Sequence, residues 1–334
     1  MSDSKKILVT GGAGYIGSHT VRLLQEQGFE PIVLDNLSSG HAWAVSCPLI
    51  VGDLADKALL NKIFSEYEFD AVMHFAGSLI VEESVLLPGK YFENNVVNGL
   101  NLVNSMAAHG VKKIVFSSTA AVYGEPQYLP LDEVHPKSPI NPYGETKLMF
   151  EKILKWYFAA NALSSVSLRY FNAAGASPDA SLGEDKDHIT HLIPRVLRVA
   201  ARQQEVLQVY GSDYSTPDGT CIRDYIHVCD LAQAHILALN KLANDPGHFV
   251  YNVATGVGHS VAAVVNTAME LTNKMITIEY APRRPGDPGM LVADATRIKT
   301  ELGFIPKYSD LNTILATAWA WHQKLLEREK EKVT

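Results

Sequence analysis

The sequence predicts an α/β protein, with a doubly wound parallel sheet followed by a smaller mixed α/β C-terminal part. Three observations support this fold class. Short apolar runs alternate with helical patterns, a glycine-rich turn follows the first run, and hydroxyl-bearing side chains follow a later one. Ligands of such sheets collect at the carboxyl ends of the strands. Functional residues are therefore expected in the turns that follow the strands.

The first predicted strand covers residues 7–9 and leads directly into a turn that contains Gly11, Gly14 and Gly17. Glycines at this spacing let the backbone turn tightly and approach a pyrophosphate. A helical pattern follows and is broken at Gly28, so the charge of the pyrophosphate would rest on a helix N-terminus. Strand, turn and helix together predict a Rossmann-type unit that binds a dinucleotide.

The second predicted strand, residues 31–34, ends in Asp35. An acidic residue at this place is suited to the ribose hydroxyls of the adenosine. No lysine or arginine occurs between Asp35 and Lys57, so a 2′-phosphate would meet repulsion without compensation. The sequence therefore favours NAD over NADP as the cofactor.

Three more strand ends extend the predicted site. Residues 49–51 lead to Asp53, which is placed to meet the adenine edge, and residues 71–75 lead to a small-residue turn at Ala76 and Gly77. Residues 114–116 lead to Ser117, Ser118 and Thr119, and the hydroxyl of Thr119 is the candidate for chemistry at the sheet edge. Residues 86–110 read as helical; the pair at 94–95 is either directed inward or solvated.

Residues 141–147, with the sequence Asn-Pro-Tyr-Gly-Glu-Thr-Lys, predict the start of a helix. Asn141 is a suitable N-cap, and proline is tolerated in the first turn. Tyr143 and Lys147 then lie on one helix face. A lysine beside a tyrosine favours the phenolate and lowers the pKa of the phenol. Lowering it from about 10 to about 7 requires roughly 4 kcal/mol, which two nearby cations could supply. Taken alone, the pair is compatible with an ordinary surface contact.

Composition excludes several other classes of protein. The chain of 334 residues is 47% hydrophobic and 19% charged, with a net charge of −7, which argues against broad binding of nucleic acid or anionic membrane. Three cysteines, Cys47, Cys221 and Cys229, form neither a metal-ligand spacing nor an even disulfide set, so we expect no metal site and a reducing compartment. No signal peptide and no membrane-spanning apolar run is recognised. A cytoplasmic protein is predicted.

The order and spacing of these motifs resemble the extended short-chain dehydrogenase/reductase family. Motifs in the second half resemble the UDP-glucose (UDP-galactose) 4-epimerases of that family, and the resemblance runs from about Lys5 to near the C-terminus. The distal motifs begin at Arg169 (Arg-Tyr-Phe-Asn), Gly183 (Gly-Glu-Asp), His191 (His-Leu-Ile-Pro), Arg223 (Arg-Asp-Tyr-Ile-His-Val) and Ala281 (Ala-Pro-Arg-Arg-Pro-Gly-Asp). The resemblance implies 4-epimerisation of a UDP-sugar by transient oxidation at C4 with bound NAD, and return of the hydride to the opposite face.

The resemblance also implies a role for each site residue. Tyr143 would be the acid/base, Thr119 would hydrogen-bond the same sugar hydroxyl, and Lys147 would bind the nicotinamide ribose. Other expected NAD contacts are Gly11, Gly14, Tyr15, Ile16, Gly17, Asp35, Asn36, Asp53, Leu54, Phe75, Ala76, Gly77, Asn95, Ser117 and Tyr170. Expected substrate contacts beyond Thr119 and Tyr143 are Asn172, His191, Leu192, Tyr210, Arg223, Arg284, Asp287 and Leu291. His191 is given no chemical role. A homodimer is implied, through paired helices that include the one starting at Tyr143.

Several alternatives stay open. Leu291 resembles a size gate beside the sugar 2-substituent, so UDP-N-acetylglucosamine and UDP-N-acetylgalactosamine are possible substrates. UDP-pentose or uronate epimerisation and decarboxylation are weaker rivals. Dehydration is disfavoured because Ala120 and Ala121 stand where an added acid and base are needed. A catalytically silent NAD-binding protein is disfavoured because Tyr143, Lys147 and Thr119 are all present. Leu79, found where some members carry lysine, leaves one cofactor contact open.

Two domains are predicted. Residues 1–172 form the NAD-binding Rossmann domain, and residues 173–334 form the substrate domain, which supplies the arginines. The catalytic cleft is expected between them. A segment near residues 224–241 could pack back on the first domain, and the sequence leaves that point open.

Overall fold

A computed structural model describes residues 4–186, 189–284 and 288–331, without the side chains of residues 329 and 331. The strands of these ranges are β1 (Lys6–Thr10), β2 (Glu30–Asp35), β3 (Leu49–Val51), β4 (Phe69–His74), β5 (Lys113–Thr119), β6 (Ser164–Tyr170), β7 (Asn172–Ala174), β8 (Leu207–Tyr210), β9 (Ile222–His227), β10 (His248–Val253), β11 (Gly258–Ser260), β12 (Ile278–Ala281) and β13 (Met290–Leu291).

The helices of the same ranges are α1 (Tyr15–Glu26), α2 (Lys57–Glu66), α3 (Val81–Leu86), α4 (Pro88–Tyr91), α5 (Asn98–Ala108), α6 (Pro142–Asn161), α7 (Leu192–Ala200), α8 (Val228–Asn244), α9 (Val261–Thr272), α10 (Thr296–Leu302) and α11 (Leu311–Glu331). A π-helical turn, Phe92–Val97, joins α4 to α5. None of the described helices is long and apolar enough to cross a membrane.

Seven parallel strands form the main sheet, in the order β10-β6-β5-β4-β1-β2-β3. Apolar side chains cover both of its faces, as expected for a parallel sheet. One face is buried with α1 and α8, and the other with α2, α5 and α6. The predicted doubly wound α/β fold is confirmed. Strand order reverses between β1 and β4, which places the ligand crevice at the carboxyl ends of these strands.

The C-terminal part contains a second core. β9 pairs with β7, β11 and β13, while β8 pairs with β12. Helices α7, α9 and α11 bury their apolar faces together, with Val196, Val264 and Leu315 among the fully covered side chains.

The division at residue 172 stays a prediction, because the main sheet also takes a strand from further along the chain. β10 pairs with β6 at the sheet edge. In the segment near residues 224–241, α8 buries Leu231 and Leu239 in the same core as Val9 and Val115. Thus α8 covers the face of the first sheet, although its sequence lies in the second half of the chain.

Candidate active site

The glycine turn after β1 packs too closely for side chains at two positions. Gly11 has φ +72°, and a Cβ there would lie 2.5 Å from the amide nitrogen of Ala76. A Cβ on Gly17 would lie 2.3 Å from the carbonyl oxygen of Gly11. Gly14 precedes α1, which has no side-chain cap and no acidic residue in its first turn among the described residues. The backbone amides at the start of α1 can therefore face an anion, which fits the pyrophosphate of a dinucleotide.

Asp35 is held in a fixed orientation at the end of β2. Its Oδ2 accepts a hydrogen bond of 2.9 Å from the amide of Ala13 in the glycine turn, and its Oδ1 accepts one of 2.9 Å from Leu37. The side chain of Asn36 donates to Asp53 Oδ2 over 2.7 Å. The predicted ribose and adenine contacts thus lie next to each other along one rim. Leu54 is buried beneath them.

Asp35→Asn is expected to reduce the selectivity for NAD over NADP at least tenfold. The substitution keeps the shape and one acceptor oxygen, but it removes the charge that would repel a 2′-phosphate. A hydrogen bond to a charged group contributes about 1.5–3 kcal/mol, so NAD binding should also weaken. Binding titrations of the variant and the original protein with NAD and with NADP measure this selectivity. Equal selectivity in the variant and the original protein would contradict the assignment of Asp35.

Asn95 is directed inward, which resolves the alternative for residues 94–95. Its Oδ1 accepts from the amide of Ser78 (2.7 Å), and its Nδ2 donates to Thr146 Oγ1 (3.0 Å). A Cβ on Gly77 would lie 3.1 Å from Asn95 Oδ1 and 3.5 Å from Lys147 Nζ. The turn after β4 therefore lies directly against α6. Of the other predicted contacts here, Phe75 packs on His235, and Ala76 packs against the core between the main sheet and α2, α5 and α6.

Helix α6 begins as predicted. Asn141 caps it by accepting a hydrogen bond of 2.8 Å from the amide of Gly144, and Pro142 occupies the first turn. Tyr143 and Lys147 are 8% and 5% exposed. Lys147 Nζ lies 6.0 Å from the centre of the Tyr143 ring and donates to the carbonyl oxygen of Ser117 over 2.9 Å. The pair is therefore buried at the strand ends and is not an ordinary surface contact.

The sequence predicts that Lys147 lowers the pKa of Tyr143. For these two residues alone, that prediction is wrong. Burial raises the pKa of Tyr143, and a hydrogen bond with Thr119 only partly opposes this. Burial also lowers the pKa of Lys147 to about 8. The separation of 6.0 Å and the bond from Lys147 to a carbonyl explain the difference. A second cation is needed before the phenolate is favoured.

Thr119 ends β5, where its Oγ1 accepts from the amide of Ala121 over 3.2 Å. In the register of the sheet Thr119 stands beside Tyr170. Burial raises the pKa of Tyr170, and a hydrogen bond with Ser117 opposes the shift. Ser117 Oγ lies 3.0 Å from His235 Nε2 on α8. Of the hydroxyls on β5, that of Thr119 faces Tyr143, while that of Ser117 faces α8.

Most of the other predicted substrate residues lie in the C-terminal part, and two of them make direct contact. The guanidinium of Arg284 lies 4.0 Å from the ring centre of Tyr210, and it also pairs with Glu82 at 3.3 Å. Arg223 donates to the carbonyl oxygen of Ile222 over 2.8 Å. Asn172 donates to the carbonyl oxygen of Asp224 over 3.0 Å, so β7 and β9 fix its side chain.

The remaining substrate contacts are more dispersed. His191, the residue before Leu192 and α7, binds Glu184 through Nδ1 at 2.8 Å, in keeping with a structural histidine. Leu291 is half-buried and packs with Val122, Tyr123, Leu131 and Leu148. Asp287 lies outside the described residues. Leu79 is exposed after the Gly77 turn, and its effect on cofactor contacts stays a prediction.

Sequence reasoning missed the ion pair between Glu151 and Arg169, in which Nη2 and Oε2 lie 2.6 Å apart. Arg169 belongs to a motif quoted above, but no partner for it was predicted. Glu151 stands four residues after Lys147, so the i, i+4 spacing along α6 could have indicated it. The position of Arg169 opposite this carboxylate depends on the pairing of β5 with β6, which local sequence does not specify.

The fold and site define a class: a dinucleotide-dependent enzyme on a Rossmann-type sheet, with a buried Tyr–Lys pair at the strand ends. Comparison with known proteins agrees. The model of the NAD dependent epimerase/dehydratase family matches residues 7–254. This chain belongs to that family, and the resemblance found in the sequence is confirmed.

Individual relatives are similar over nearly the full length. A UDP-glucose 4-epimerase of Halalkalibacterium halodurans is 51% identical over 95% of this chain and 96% of its own. The crystal structure of a UDP-glucose 4-epimerase from Brucella ovis in complex with NAD has a TM-score of 0.93 and 47% identity, covering 95% and 98% of the two chains. The UDP-Glc/GlcNAc 4-epimerase of Campylobacter jejuni has a TM-score of 0.85 and 42% identity, covering 96% and 100%.

Proposed function

We infer that this protein interconverts UDP-galactose and UDP-glucose by reversible epimerisation at C4, with NAD as a tightly held cofactor. One observation carries the inference. Tyr143, Thr119 and Lys147 converge at the end of β5, and the next residues are alanines 120 and 121. The site can therefore exchange a proton with one hydroxyl, but it offers no second acid and base there for elimination. The similar UDP-glucose 4-epimerases support the same reading.

The chemistry divides between cofactor and chain. NAD, when bound, supplies an acceptor and donor of hydride and a cationic ring. Gly11, Gly14 and the N-terminus of α1 would hold its pyrophosphate, and Asp35 its adenosine ribose. Lys147 would hold the nicotinamide ribose through its ammonium group. Tyr143 would require the cationic ring, in addition to Lys147, for its ionisation.

Tyr143 is the proposed acid/base. As a phenolate it would take the proton from the sugar 4-hydroxyl, and it would return the proton after the sugar has presented its other face. Thr119 would hydrogen-bond the same hydroxyl and orient it. Both groups must lie within about 3 Å of that oxygen for the transfer. Because the proton and the hydride are both returned, the reaction is reversible and consumes no cofactor.

The arginines of the C-terminal part would hold the diphosphate. Arg223 and Arg284 carry permanent charge and can donate two parallel hydrogen bonds to phosphate oxygens. Arg284 already stacks on Tyr210 at 4.0 Å, which places a flat aromatic beside a phosphate-binding group, as a uridine diphosphate requires. Glu82 pairs with Arg284 at the surface and would compete with the diphosphate for it.

A second candidate function, epimerisation of UDP-N-acetylglucosamine, is favoured by Leu291. Leucine there is smaller than tyrosine, and its half-buried side chain packs beside the loop after β5. The similar protein from Campylobacter jejuni is named a UDP-Glc/GlcNAc 4-epimerase. UDP-pentoses, uronates and decarboxylation have no such specific support.

Incubation of the purified protein with UDP-galactose and no added cofactor tests the proposed function. Sugar analysis should detect UDP-glucose. Incubations that start from UDP-galactose and from UDP-glucose should approach the same mixture of the two sugars. A parallel incubation with UDP-N-acetylgalactosamine tests the second candidate. Absence of UDP-glucose even with NAD supplied would reject the main proposal.

We also propose that the protein is a homodimer that pairs through α3, α6 and neighbouring helices. Exposed apolar side chains on these helices support this interface: Leu86 is 79% exposed and Trp156 is 73% exposed. Such side chains on adjacent helices form a surface that a second copy would cover.

Trp156→Glu is expected to convert the dimer to a monomer at micromolar concentration. A charge at the centre of an apolar interface loses its hydration without gaining a partner. Size-exclusion chromatography with light scattering measures the mass. Met275→Glu is the matched control, since Met275 is also largely exposed but lies after α9. A monomer in the original protein, or an unchanged dimer in Trp156→Glu, would contradict this interface.

A further inference from the structure

Glu151 on α6 and Arg169 on β6 form a buried ion pair. The proposed mechanism does not use this pair. Glu151 and Arg169 are 4% and 3% exposed. Arg169 donates through Nε to Oε1 over 2.9 Å and through Nη2 to Oε2 over 2.6 Å. Withdrawing both charges from water is costly, and apolar residues of similar volume often stabilise a fold as well. Stability alone is therefore a weak reason for the pair.

The pair joins three elements of the site. Ser118 on β5 donates to Glu151 Oε1 on α6 over 2.5 Å, and Arg169 stands beside Ser118 in the register of β6 with β5. Ser118 lies between Ser117, whose carbonyl accepts the bond from Lys147, and Thr119. A shift of Ser118 relative to α6 would therefore displace two groups of the site at once.

The network continues beyond Arg169. Its Nη1 donates to the hydroxyl of Tyr123 over 3.1 Å, and that hydroxyl donates to Asn252 Oδ1 over 2.6 Å. The side-chain Nδ2 of Asn252 in turn donates to the carbonyl oxygen of Leu131 over 2.9 Å. The hydroxyl of Tyr123 thus ties the loop after β5 to edge strand β10 and accepts a bond from the same guanidinium.

Glu151 also acts on the charge of Lys147, one helical turn before it. Burial lowers the pKa of Lys147, and the carboxylate of Glu151 opposes that shift. In the NAD-free protein the other groups facing Lys147 offer no negative charge: the Phe116 ring at 4.9 Å, the Ser117 carbonyl, and Tyr143 and His74, which burial keeps neutral at pH 7. Among these described neighbours, Glu151 is the counter-charge.

We propose that Glu151 and Arg169 are positioning residues for Lys147 and Thr119. Their ion pair clamps β5 to α6, and the carboxylate keeps the ammonium group of Lys147 charged during turnover. The inference rests on the proposed function for its kinetic readout. A merely structural pair would affect stability but would leave the titration of Lys147 unchanged.

The double variant Glu151→Met/Arg169→Met tests this directly, because it removes both charges and leaves neither partner unpaired. NMR of protein labelled with carbon-13 at the lysine Cε reports the pKa of Lys147 without any turnover, with the signal assigned from Lys147→Met. We expect that pKa to fall, because the carboxylate one helical turn away is lost. The alkaline limb of kcat should move to lower pH by the same amount, and kcat at pH 8 should fall at least tenfold.

The matched control is Lys113→Met/Asp70→Leu, which removes an ion pair of 2.7 Å at the opposite end of β5. This control should leave the pKa of Lys147 and the pH profile of kcat unchanged. If the pKa of Lys147 is the same in the Glu151/Arg169 double variant as in the original protein, the electrostatic role of Glu151 is overturned. If the original protein shows no epimerase activity, the proposed function fails, while the NMR titration still decides this inference.

Ser118→Ala tests the clamp separately and keeps the inference falsifiable should the double variant not fold. It retains the ion pair but removes the link from β5 to Glu151. We expect kcat to fall several-fold with KM for the UDP-sugar unchanged, and the pKa of Lys147 to stay the same. An unchanged kcat in Ser118→Ala would overturn the clamp.

Discussion

Tyr143→Phe is expected to lower kcat by a factor of about 10²–10⁴ while NAD remains bound, the range that a positioned acid/base contributes. The ring of Tyr143 is buried on α6, so phenylalanine fills the same space and only the hydroxyl is lost. KM for UDP-galactose should change little, because other residues are proposed to hold the diphosphate. Steady-state kinetics with quantification of bound NAD separates the two effects.

A matched control is Tyr251→Phe on β10, which removes another buried phenol whose hydroxyl donates to Glu301 over 2.7 Å. This control should lose some stability and keep its turnover. Full activity in Tyr143→Phe would remove the proposed base. Loss of bound NAD in the same variant would assign Tyr143 to cofactor binding instead.

Lys147→Met is expected to abolish most activity and yet to stabilise the NAD-free protein by about 1–3 kcal/mol at pH 7. Burial lowers the pKa of Lys147 to about 8, below its ordinary 10.5, so the fold disfavours the charged form. Methionine has a similar length and no charge to bury. The lost hydrogen bond to Ser117 offsets part of the gain. Turnover should fall about 10²–10³-fold, as when one preorganised charged donor is removed.

The pH dependence of this stability difference has a defined sign. The cost of the buried ammonium is fully present below pH 8 and disappears as pH rises from about 8 to 10.5. Thermal unfolding at several pH values should therefore show a variant that melts higher at pH 7 and loses this advantage by pH 10. Lys113→Met, at the other end of β5, should show no comparable gain. A less stable Lys147→Met at pH 7 would contradict the account.

The features set by local sequence could be predicted. The glycine turn, Asp35 at the end of β2 and the Asn141 cap each depend on one strand or one helix start, and the structure has them in those places. Hydrophobic runs of strand length likewise predict the main sheet. These signals lie within a few residues of each other, so no tertiary contact is needed to read them.

The features that depend on distant parts of the chain could not be predicted. Burial, more than Lys147, sets the pKa of Tyr143, and burial follows from packing of the whole sheet. Arg169 meets Glu151 only because β5 and β6 pair. The contact of Arg284 with Glu82 joins residues about 200 positions apart. Such contacts leave no periodic signal in the sequence.

The most direct test of the central claim follows the hydrogen at C4. UDP-galactose labelled with deuterium at C4 is incubated with the protein, and the product is analysed by NMR and mass spectrometry. The account predicts UDP-glucose that retains deuterium at C4, with none exchanged for solvent hydrogen at that carbon. UDP-glucose that has lost the label, or no UDP-glucose at all, would contradict it.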